Sequence, residues 1–277
     1  YALLEAGRLP GTVWLTLAFG ALAFAFDLAA SLSTGIDARK LTRSAGLTLA
    51  LPAALLAVTY GVAGAGFGPG VHILLTLALV TPLGPYIYRV AFQPIASASI
   101  LALLITAVGV HLALVGLGLV FFGAEGVRAP SLSELTLELG PLLVSGQSLV
   151  IYAVTLLAIG ALWFFFERAL WGKALKATAV NRLGARLVGI RTTFAGALAF
   201  GLAALVGALS GILIAPVTTI YYDTGFLIGL KGFVAAIVGA LASYPLTAVA
   251  ALAVGIVEAF SSFVASDLKE VIVFTLI

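Results

Sequence analysis

Three charged residues lie inside or at the edge of long apolar stretches: Asp27, Lys231 and Glu258. A charge at membrane depth is expensive, so such residues commonly pair with one another or serve in ion or substrate pathways. Asp27, in AFAFDLAASLS, and Glu258, in AVGIVEAFSSF, could carry a proton or an ion, although Glu258 could equally form a hydrogen bond between helices. Lys231, in FLIGLKGFVAAIVG, could extend its amine to the membrane surface, contact a substrate carboxylate or pair with an acid of a partner.

Motifs for ATP hydrolysis and zinc-dependent hydrolysis are missing from the sequence. There is no G-x-x-x-x-G-K-[ST] phosphate-binding loop and no H-E-x-x-H. The two histidines, His72 and His111, stand in separate apolar runs without a neighbouring acid, which favours packed or pore-facing side chains over metal ligands. Cysteine is absent, which excludes disulfides and cysteine nucleophiles. We therefore expect neither enzyme activity nor a cofactor or metal in this chain.

The composition is that of a membrane protein. Hydrophobic residues make up 62% of the 277 residues and charged residues only 9%, whereas soluble domains carry about 25% charged residues. A water-soluble protein of this composition would expose large apolar patches. The net charge of +3 is small and scattered, which argues against nucleic acid as a partner.

The elements that position these charges are apolar runs long enough to cross a bilayer, which takes about 20 residues. A shorter, Gly-rich run follows the first six, and a last run begins at Val271, which we interpret as part of a further helix. We therefore expect about eight or nine spans in one integral-membrane domain, residues 1–277. The runs are 13–33, 45–63, 71–88, 97–121, 148–166, 193–216, 227–243 and 245–265.

The connecting loops alternate in charge, and basic loops of membrane proteins favour the cytoplasmic side. This alternation predicts that residues 167–192 are cytoplasmic and residues 122–147 are outside. Loops 34–44, 89–96 and 167–192 have net charges of +2, +1 and +5, whereas loops 122–147, 217–226 and 266–270 have −2, −1 and −1.

Small residues recur four positions apart in the spans, which predicts close packing between helices. The pairs are Gly207 with Gly211, Gly225 with Gly229, and Ala197 with Gly201.

The most basic loop contains a helical pattern between Gly172 and Gly189. Asn181 is suited to begin a second helix, and Gly184 weakens a single continuous one, so we expect two short helices that meet near Asn181. The segment could rest on anionic lipid, but its thin stripe lacks aromatic residues and is better suited to a groove in a protein. The stripe recurs at every fourth position: Leu175, Ala179, Leu183 and Leu187.

The segment resembles the cytoplasmic coupling segment of the branched-chain amino acid ABC transporter permeases. The family pattern there is G-[RK]-A-L-[RK]-A-x-A-x-N followed by A-x-L-x-G-I. Three further stretches, YRVAFQPIASASILALLITAVGV, GFLIGLKGFVAAIVGAL and VGIVEAFSSFVASDLKEVIVFTLI, are similar to the family in the same order. The coupling pattern is met by Gly172, Ala174, Leu175, Ala177, Ala179, Asn181, Ala185, Leu187, Gly189 and Ile190.

The resemblance implies an all-α, polytopic membrane helix bundle that serves as the permease subunit of an importer for branched-chain or other apolar amino acids. It implies a second permease subunit, two cytoplasmic ATPases that bind ATP and Mg²⁺, and a periplasmic or lipid-anchored binding protein. It also implies that the chain crosses the plasma (inner) membrane of a bacterium or archaeon several times and contacts membrane lipid there. Residues 172–190 would contact the ATPase, and the translocation path would pass near Gly225, Gly229, Lys231 and Glu258.

Two other functions fit parts of the sequence. Within the same family, the substrate could be urea, an amide or a small carboxylate. A secondary transporter or channel acting alone would use Glu258 and Asp27 as ion sites, but it should contain an internal repeat with two broken helices. The sequence shows one short Gly-rich run rather than a matched pair.

Overall fold

The structure, a computed structural model, describes residues 2–34, 38–140, 142–239 and 243–275. Over these residues it consists of α-helices and one short β-hairpin. The elements are α1 (Ala2–Glu5), α2 (Gly11–Thr34), α3 (Ala38–Val62), α4 (Pro69–Phe92), α5 (Ile100–Phe122), β1 (Thr136–Leu139), β2 (Leu142–Ser145), α6 (Gly146–Arg168), α7 (Leu170–Val180), α8 (Arg182–Leu187), α9 (Thr192–Ile214), α10 (Gly225–Val238), α11 (Tyr244–Val264) and α12 (Lys269–Phe274).

Seven of the described helices are long and apolar enough to cross a membrane: α2 to α6, α9 and α11. The shorter α10 coincides with the Gly-rich run, and α12 begins two residues before Val271. The expected all-α, polytopic membrane fold is thereby confirmed, with boundaries that differ from the predicted runs by a few residues at most positions.

The helices extend furthest beyond the prediction at the basic loops. α3 begins at Ala38, so Arg39, Lys40 and Arg43 lie on a helical extension of the second span and not in a loop. α4 likewise continues to Phe92 and includes Arg89. Ala, Lys, Arg and Leu are good helix formers, so these helices continue past the apolar runs into the polar region. Asp37, counted in the charge of loop 34–44, lies outside the described residues.

A two-stranded hairpin occupies part of the acidic loop 122–147 and was not predicted. β1 and β2 pair antiparallel, with Thr136 opposite Ser145 and Leu137 opposite Val144. Gly140, in the connection, has a φ of 65°, a left-handed value that favours glycine. The strands are only four residues long and half of their residues are Leu, so neither length nor composition distinguishes them from a loop.

The chain divides into two compact units. Unit 1 comprises Tyr1–Val150 and Ala174–Tyr222, and unit 2 comprises Ile151–Lys173 and Asp223–Ile277. In unit 1, α9 packs closely on the second half of α4. A Cβ atom at Gly84 would lie only 2.1 Å from the carbonyl oxygen of Phe200, so only glycine permits this approach. Small residues serve the same purpose at many helix contacts in membranes.

One end of unit 1 gathers the basic segments. Arg89 Nη2 lies 2.8 Å from Asp27 Oδ2, which joins the end of α4 to α2. Arg182 donates a hydrogen bond to the carbonyl of Ala96, which joins the α8 segment to the loop after α4. Three basic segments of the sequence therefore meet at the same end of this unit.

The opposite end of α9 gathers the acidic loops. Val127 and Ile220 exchange backbone hydrogen bonds of 2.8 and 2.9 Å, and Arg128 donates to the carbonyls of Pro216 and Val217. The buried Gln147 side chain donates to the Leu213 carbonyl at 2.9 Å. Since α9 has 23 residues, at about 1.5 Å per residue, the two sets of loops are separated by the length of a membrane span.

Unit 2 has its own small core. Residues of α10, α11 and α12 form it: Val234, Ala235, Ala250, Val254 and Val273. Phe166 near the end of α6 stacks on Tyr244 at the start of α11, with ring centroids 4.5 Å apart.

Most of the small-residue pairs do not pack as expected. A Cβ atom at Gly207, Gly211, Gly225 or Gly229 would meet no atom within 4 Å, so the close packing predicted from these spacings is not found among the described residues of this chain. Gly201 does contact Pro85, where the added atom would lie at 3.4 Å. The four-residue spacing shows which helix faces carry small residues, but it does not show whether another helix packs on them.

Candidate functional site

The segment between α6 and α9 forms the two short helices expected from its sequence. Asn181 separates α7 from α8 with an extended conformation, φ −148° and ψ 99°. Its Oδ1 accepts a hydrogen bond from the Gly184 amide at 2.8 Å. This is the arrangement of a helix N-cap, which satisfies an amide that the first helical turn leaves without a partner.

Gly189 ends α8 in a left-handed conformation, with a φ of 84°. Its amide donates to the Arg186 carbonyl at 3.0 Å, and the Ile190 amide donates to the Ala185 carbonyl at 2.9 Å. This pair of hydrogen bonds is a Schellman motif, which closes a helix C-terminus and favours glycine at the left-handed position. Both ends of α8 are therefore fixed by local hydrogen bonds.

Gly172 lies against the last turns of α6. A Cβ atom at this position would be 2.1 Å from the carbonyl oxygen of Phe165, so a larger residue would push α7 away from α6. Any movement of the start of α7 is thereby transmitted to the end of α6.

The two helices bury few apolar residues and expose more. Leu175 and Ala185 are 9% and 3% exposed, and Ala174 is half-buried, whereas Ala177 and Ala179 are exposed. Four larger apolar side chains are 69 to 88% exposed: Val180, Leu183, Leu187 and Val188. We call these four residues the apolar surface of the segment. Leu183 and Leu187 were expected from the stripe. Val180 and Val188 were not, because they fall outside its four-residue spacing.

Two arginines fasten the segment within unit 1. Besides the hydrogen bond from Arg182 to Ala96, Arg186 Nε donates to Thr192 Oγ1 at 3.1 Å, at the first residue of α9. Most of the apolar surface therefore lies on or directly after α8, which is capped at both ends and attached to its neighbours, and Val180 adds to it from the end of α7. Such a surface, outside the long apolar spans, is typical of a contact with another protein.

A second cluster lies in unit 2 around Lys231. Its Nζ atom is 2.6 Å from Glu258 Oε1 on α11 and 3.1 Å from Glu270 Oε1 on α12. The three side chains are 19%, 30% and 33% exposed. Lys231 is therefore paired with two acids of its own chain, which was not expected for Lys231. The hydrogen bond between helices that was considered for Glu258 is present. Glu270 was assigned to a loop and missed as a site residue, although a carboxylate directly before an apolar run is a recognisable signal.

The glycines expected near the translocation path lie on the open side of α10. Gly225 and Gly229, and also Gly232, are exposed, and an added Cβ atom at any of them would meet no atom within 4 Å. Lys231 projects from the same helix toward its two carboxylates. α10 thus has one charged, packed side and one smooth side of small residues.

The structure gives the surroundings of Asp27, which was considered as an ion site, and of His72. Asp27 pairs with Arg89 and accepts a hydrogen bond from the Ser44 hydroxyl, all within unit 1. His72 is only 2% exposed, which agrees with a packed side chain, and its ring nitrogens have no hydrogen-bond partner among the described residues. Asp27 pairs with Arg89 within unit 1, and Glu258 pairs with Lys231 within unit 2.

Comparison with known proteins gives a consistent result. A family model described as "Branched-chain amino acid transport system / permease component" matches residues 15–277. The chain is 31% identical over 208 residues to the high-affinity branched-chain amino acid transport system permease protein LivH of Escherichia coli. The aligned region covers 73% of this chain and 68% of that protein. It is 28% identical over 209 residues to the permease protein BraD of Pseudomonas aeruginosa, with the same two shares. No solved structure matches the chain.

Proposed function

Because the chain belongs to the family of permease components of branched-chain amino acid transport systems, we propose that it is the membrane-spanning subunit of an ABC importer for branched-chain or other apolar amino acids. The chain is a transport subunit and not an enzyme, as are the permeases that it resembles. In this proposal separate ATPase subunits bind ATP and Mg²⁺ and supply the free energy for transport.

One observation carries the proposed coupling role: the apolar surface of the segment is exposed, with Val180 at the end of α7 and Leu183, Leu187 and Val188 on or directly after α8, which is capped at both ends. A helix resting on lipid has no need of this rigidity. An ATPase groove that closes on the segment would cover these side chains, and Ala177 and Ala179 are small enough to let the two proteins approach closely.

Rigidity also determines where the force would go. Closure of the ATPases would displace α8 as a rigid helix, because the caps at Asn181 and Gly189 close both of its ends. Gly172 contacts the end of α6, and Arg186 is bonded to Thr192 at the start of α9. Displacement of the segment would therefore tilt α6 and α9, which are membrane spans.

We place the translocation path along the smooth side of α10, past Gly225 and Gly229. In lipid such an exposed, glycine-rich face is unusual unless it meets protein or lines a cavity. Lys231 and Glu258 lie on the packed side and would hold α10 in position through their 2.6 Å contact. In this proposal they act on the path through the position of α10.

The proposed assembly contains this chain, a second permease subunit, two ATPases and a substrate-binding protein on the outer side. The end of unit 1 that holds Arg89 and Arg182 would face the cytoplasm of a bacterium or archaeon, because basic segments favour that side. The end with the hairpin would face outward and receive the binding protein.

The identity of co-purifying chains tests this proposal. The tagged chain, purified from its own cells in a mild detergent, should retain a second permease subunit and two ATPase subunits. A leucine-stimulated ATPase activity should accompany the complex. If the chain purified alone instead catalysed uptake driven by an ion gradient in liposomes, the stand-alone transporter with Glu258 and Asp27 would replace the importer.

A further inference from the structure

Unit 1 contains an open groove with a volume of about 630 Å³ between α3, α4 and α9. Its walls are apolar over most of their length. Leu47 and Leu51 are more than a third exposed, so the groove opens sideways from the helices and not only at their ends. The aliphatic side chains of the walls are Leu47, Leu51, Leu198, Leu202 and Leu205.

Three of the hydroxyl groups in these walls are already hydrogen-bonded within the chain. The Tyr86 hydroxyl donates to the Leu47 carbonyl at 2.6 Å, the Thr48 hydroxyl to Ser44 at 2.8 Å and the Thr81 hydroxyl to Leu77 at 2.7 Å. No acidic side chain lines the groove. A free amino acid would bury its ammonium group there without a partner, which is costly. The depth of the groove is therefore suited to a hydrocarbon chain.

The rim of the groove is polar and basic. Arg89, Gln93, Arg191 and Thr193 line it at the basic end of unit 1. Arg89 is neutralised by Asp27, but Arg191 is exposed, and its guanidinium group has no hydrogen-bond or ion-pair partner among the described residues. The guanidinium group of arginine binds phosphate oxygens through two parallel hydrogen bonds.

We propose that this groove binds an anionic phospholipid, with an acyl chain between α3 and α9 and the headgroup phosphate at Arg191. Two complementary features support this occupant: a largely apolar channel, in which the hydroxyls of Thr48, Thr81 and Tyr86 are bonded within the chain, and a basic side chain without an ion-pair partner among the described residues at its basic end. Basic pockets between membrane helices are known sites for anionic headgroups. The proposal does not depend on the ATPase contact, because none of the exposed residues of the apolar surface lines the groove.

Titration of the purified, delipidated transporter with phosphatidylglycerol or phosphatidylcholine of equal chain length, followed by native mass spectrometry, tests the proposal. Phosphatidylglycerol should bind more tightly. Arg191→Gln should weaken its binding about fivefold, the effect of one base near an anionic headgroup, and should weaken phosphatidylcholine less, because the choline cation offsets the charge of its phosphate. Arg191 makes no capping hydrogen bond at α9, so the substitution should not disturb the fold.

Lys173→Gln is the matched control, because Lys173 is an exposed base of the same loop that does not line the groove. It should leave both affinities unchanged. Ala197→Trp, which fills the groove, should lower the affinity for both lipids if the site is occupied by an acyl chain. Equal binding of the two lipids by the unmodified protein would overturn the proposal. So would equal effects of Arg191→Gln and Lys173→Gln, or loss of a protein subunit on Arg191→Gln without a change in lipid affinity.

Discussion

Lys231 connects three helices of unit 2 through one ammonium group, with Glu258 at 2.6 Å and Glu270 at 3.1 Å. Lys231→Ala would leave two carboxylates side by side without their cation. The side chains are only partly exposed, so we expect a loss of about 1–3 kcal/mol in the free energy of unfolding, less than for a fully buried pair. Thermal unfolding in detergent measures this loss. Lys269→Ala, a neighbouring base without these contacts, should have little effect.

Neutralising all three groups distinguishes a structural role from a role in transport. The triple variant Lys231→Met, Glu258→Gln and Glu270→Gln removes the unpaired charges, so its stability should recover relative to Lys231→Ala. Recovery of both stability and leucine uptake would show that the cluster only positions α10. Recovered stability with lost uptake would instead assign the charges themselves to the path.

The local structure of this chain could be predicted from its sequence more reliably than the pairing of residues on different helices. The cap at Asn181 and the end of α8 at Gly189 depend on neighbouring residues, and both were recognisable from the sequence. The pairing of Lys231 with Glu258 joins residues 27 apart on different helices, and only the packing of α10 on α11 brings them together. The sequence identified both charges but could not decide whether their partners lay inside the chain.

Two other features show the same limit. The pairs Gly207 with Gly211 and Gly225 with Gly229 have the spacing of packed helices, yet no atom of the described residues lies within 4 Å of a Cβ added at any of them. Spacing describes a surface and not its partner. Val180 and Val188 are exposed although neither belongs to the four-residue stripe. Their exposure depends on the break at Asn181, which rotates α8 relative to α7 and so ends a single helical register.

Exchange of charges at the basic end of unit 1 tests whether Asp27 is an ion site or an ion-pair partner. Asp27→Lys should destabilise the protein, since it places a second cation beside Arg89. Adding Arg89→Glu restores opposite charges and should recover at least half of the lost stability, as measured by thermal unfolding. If uptake also recovers in the double variant, Asp27 has no specific role as a carboxylate. Recovery of stability without recovery of uptake would show that the Asp27 carboxylate is needed for transport besides its ion pair, and no recovery of stability would contradict the ion-pair role.

Removal of the cap should loosen α8 without unfolding the protein. Asn181→Ala deletes the hydrogen bond to the Gly184 amide, which is worth about 0.5–2 kcal/mol at helix N-termini. Hydrogen exchange should therefore accelerate by about threefold to thirtyfold at residues 182–190 and remain unchanged in α9. Asn181→Asp preserves an acceptor and should exchange like the unmodified protein. Equal acceleration in both variants would show that the cap does not hold α8.

The loop charges predict opposite sides for the two ends of unit 1. The chain has no cysteine, so single substitutions give a clean background. In cells that express the chain without its ATPase partners, Val180→Cys, at an 88% exposed position, should react with a membrane-impermeant maleimide only after the cells are opened. Glu125→Cys, in the acidic loop, should react in intact spheroplasts. Reaction of Val180→Cys in intact spheroplasts would reverse the proposed orientation.

The coupling role of residues 172–190 is the central claim, and a single charge in the contact tests it most directly. Ala179→Glu places a carboxylate on the exposed side of α7, where an ATPase groove would desolvate it at a cost of several kcal/mol, on the order of a hundredfold or more in affinity. Ala124→Glu makes the same change at an exposed position in the opposite loop. The measurement is the amount of ATPase subunit retained by each purified complex. Loss in Ala179→Glu but not in Ala124→Glu is the predicted result, and full retention with normal leucine-stimulated hydrolysis in both would contradict the coupling role.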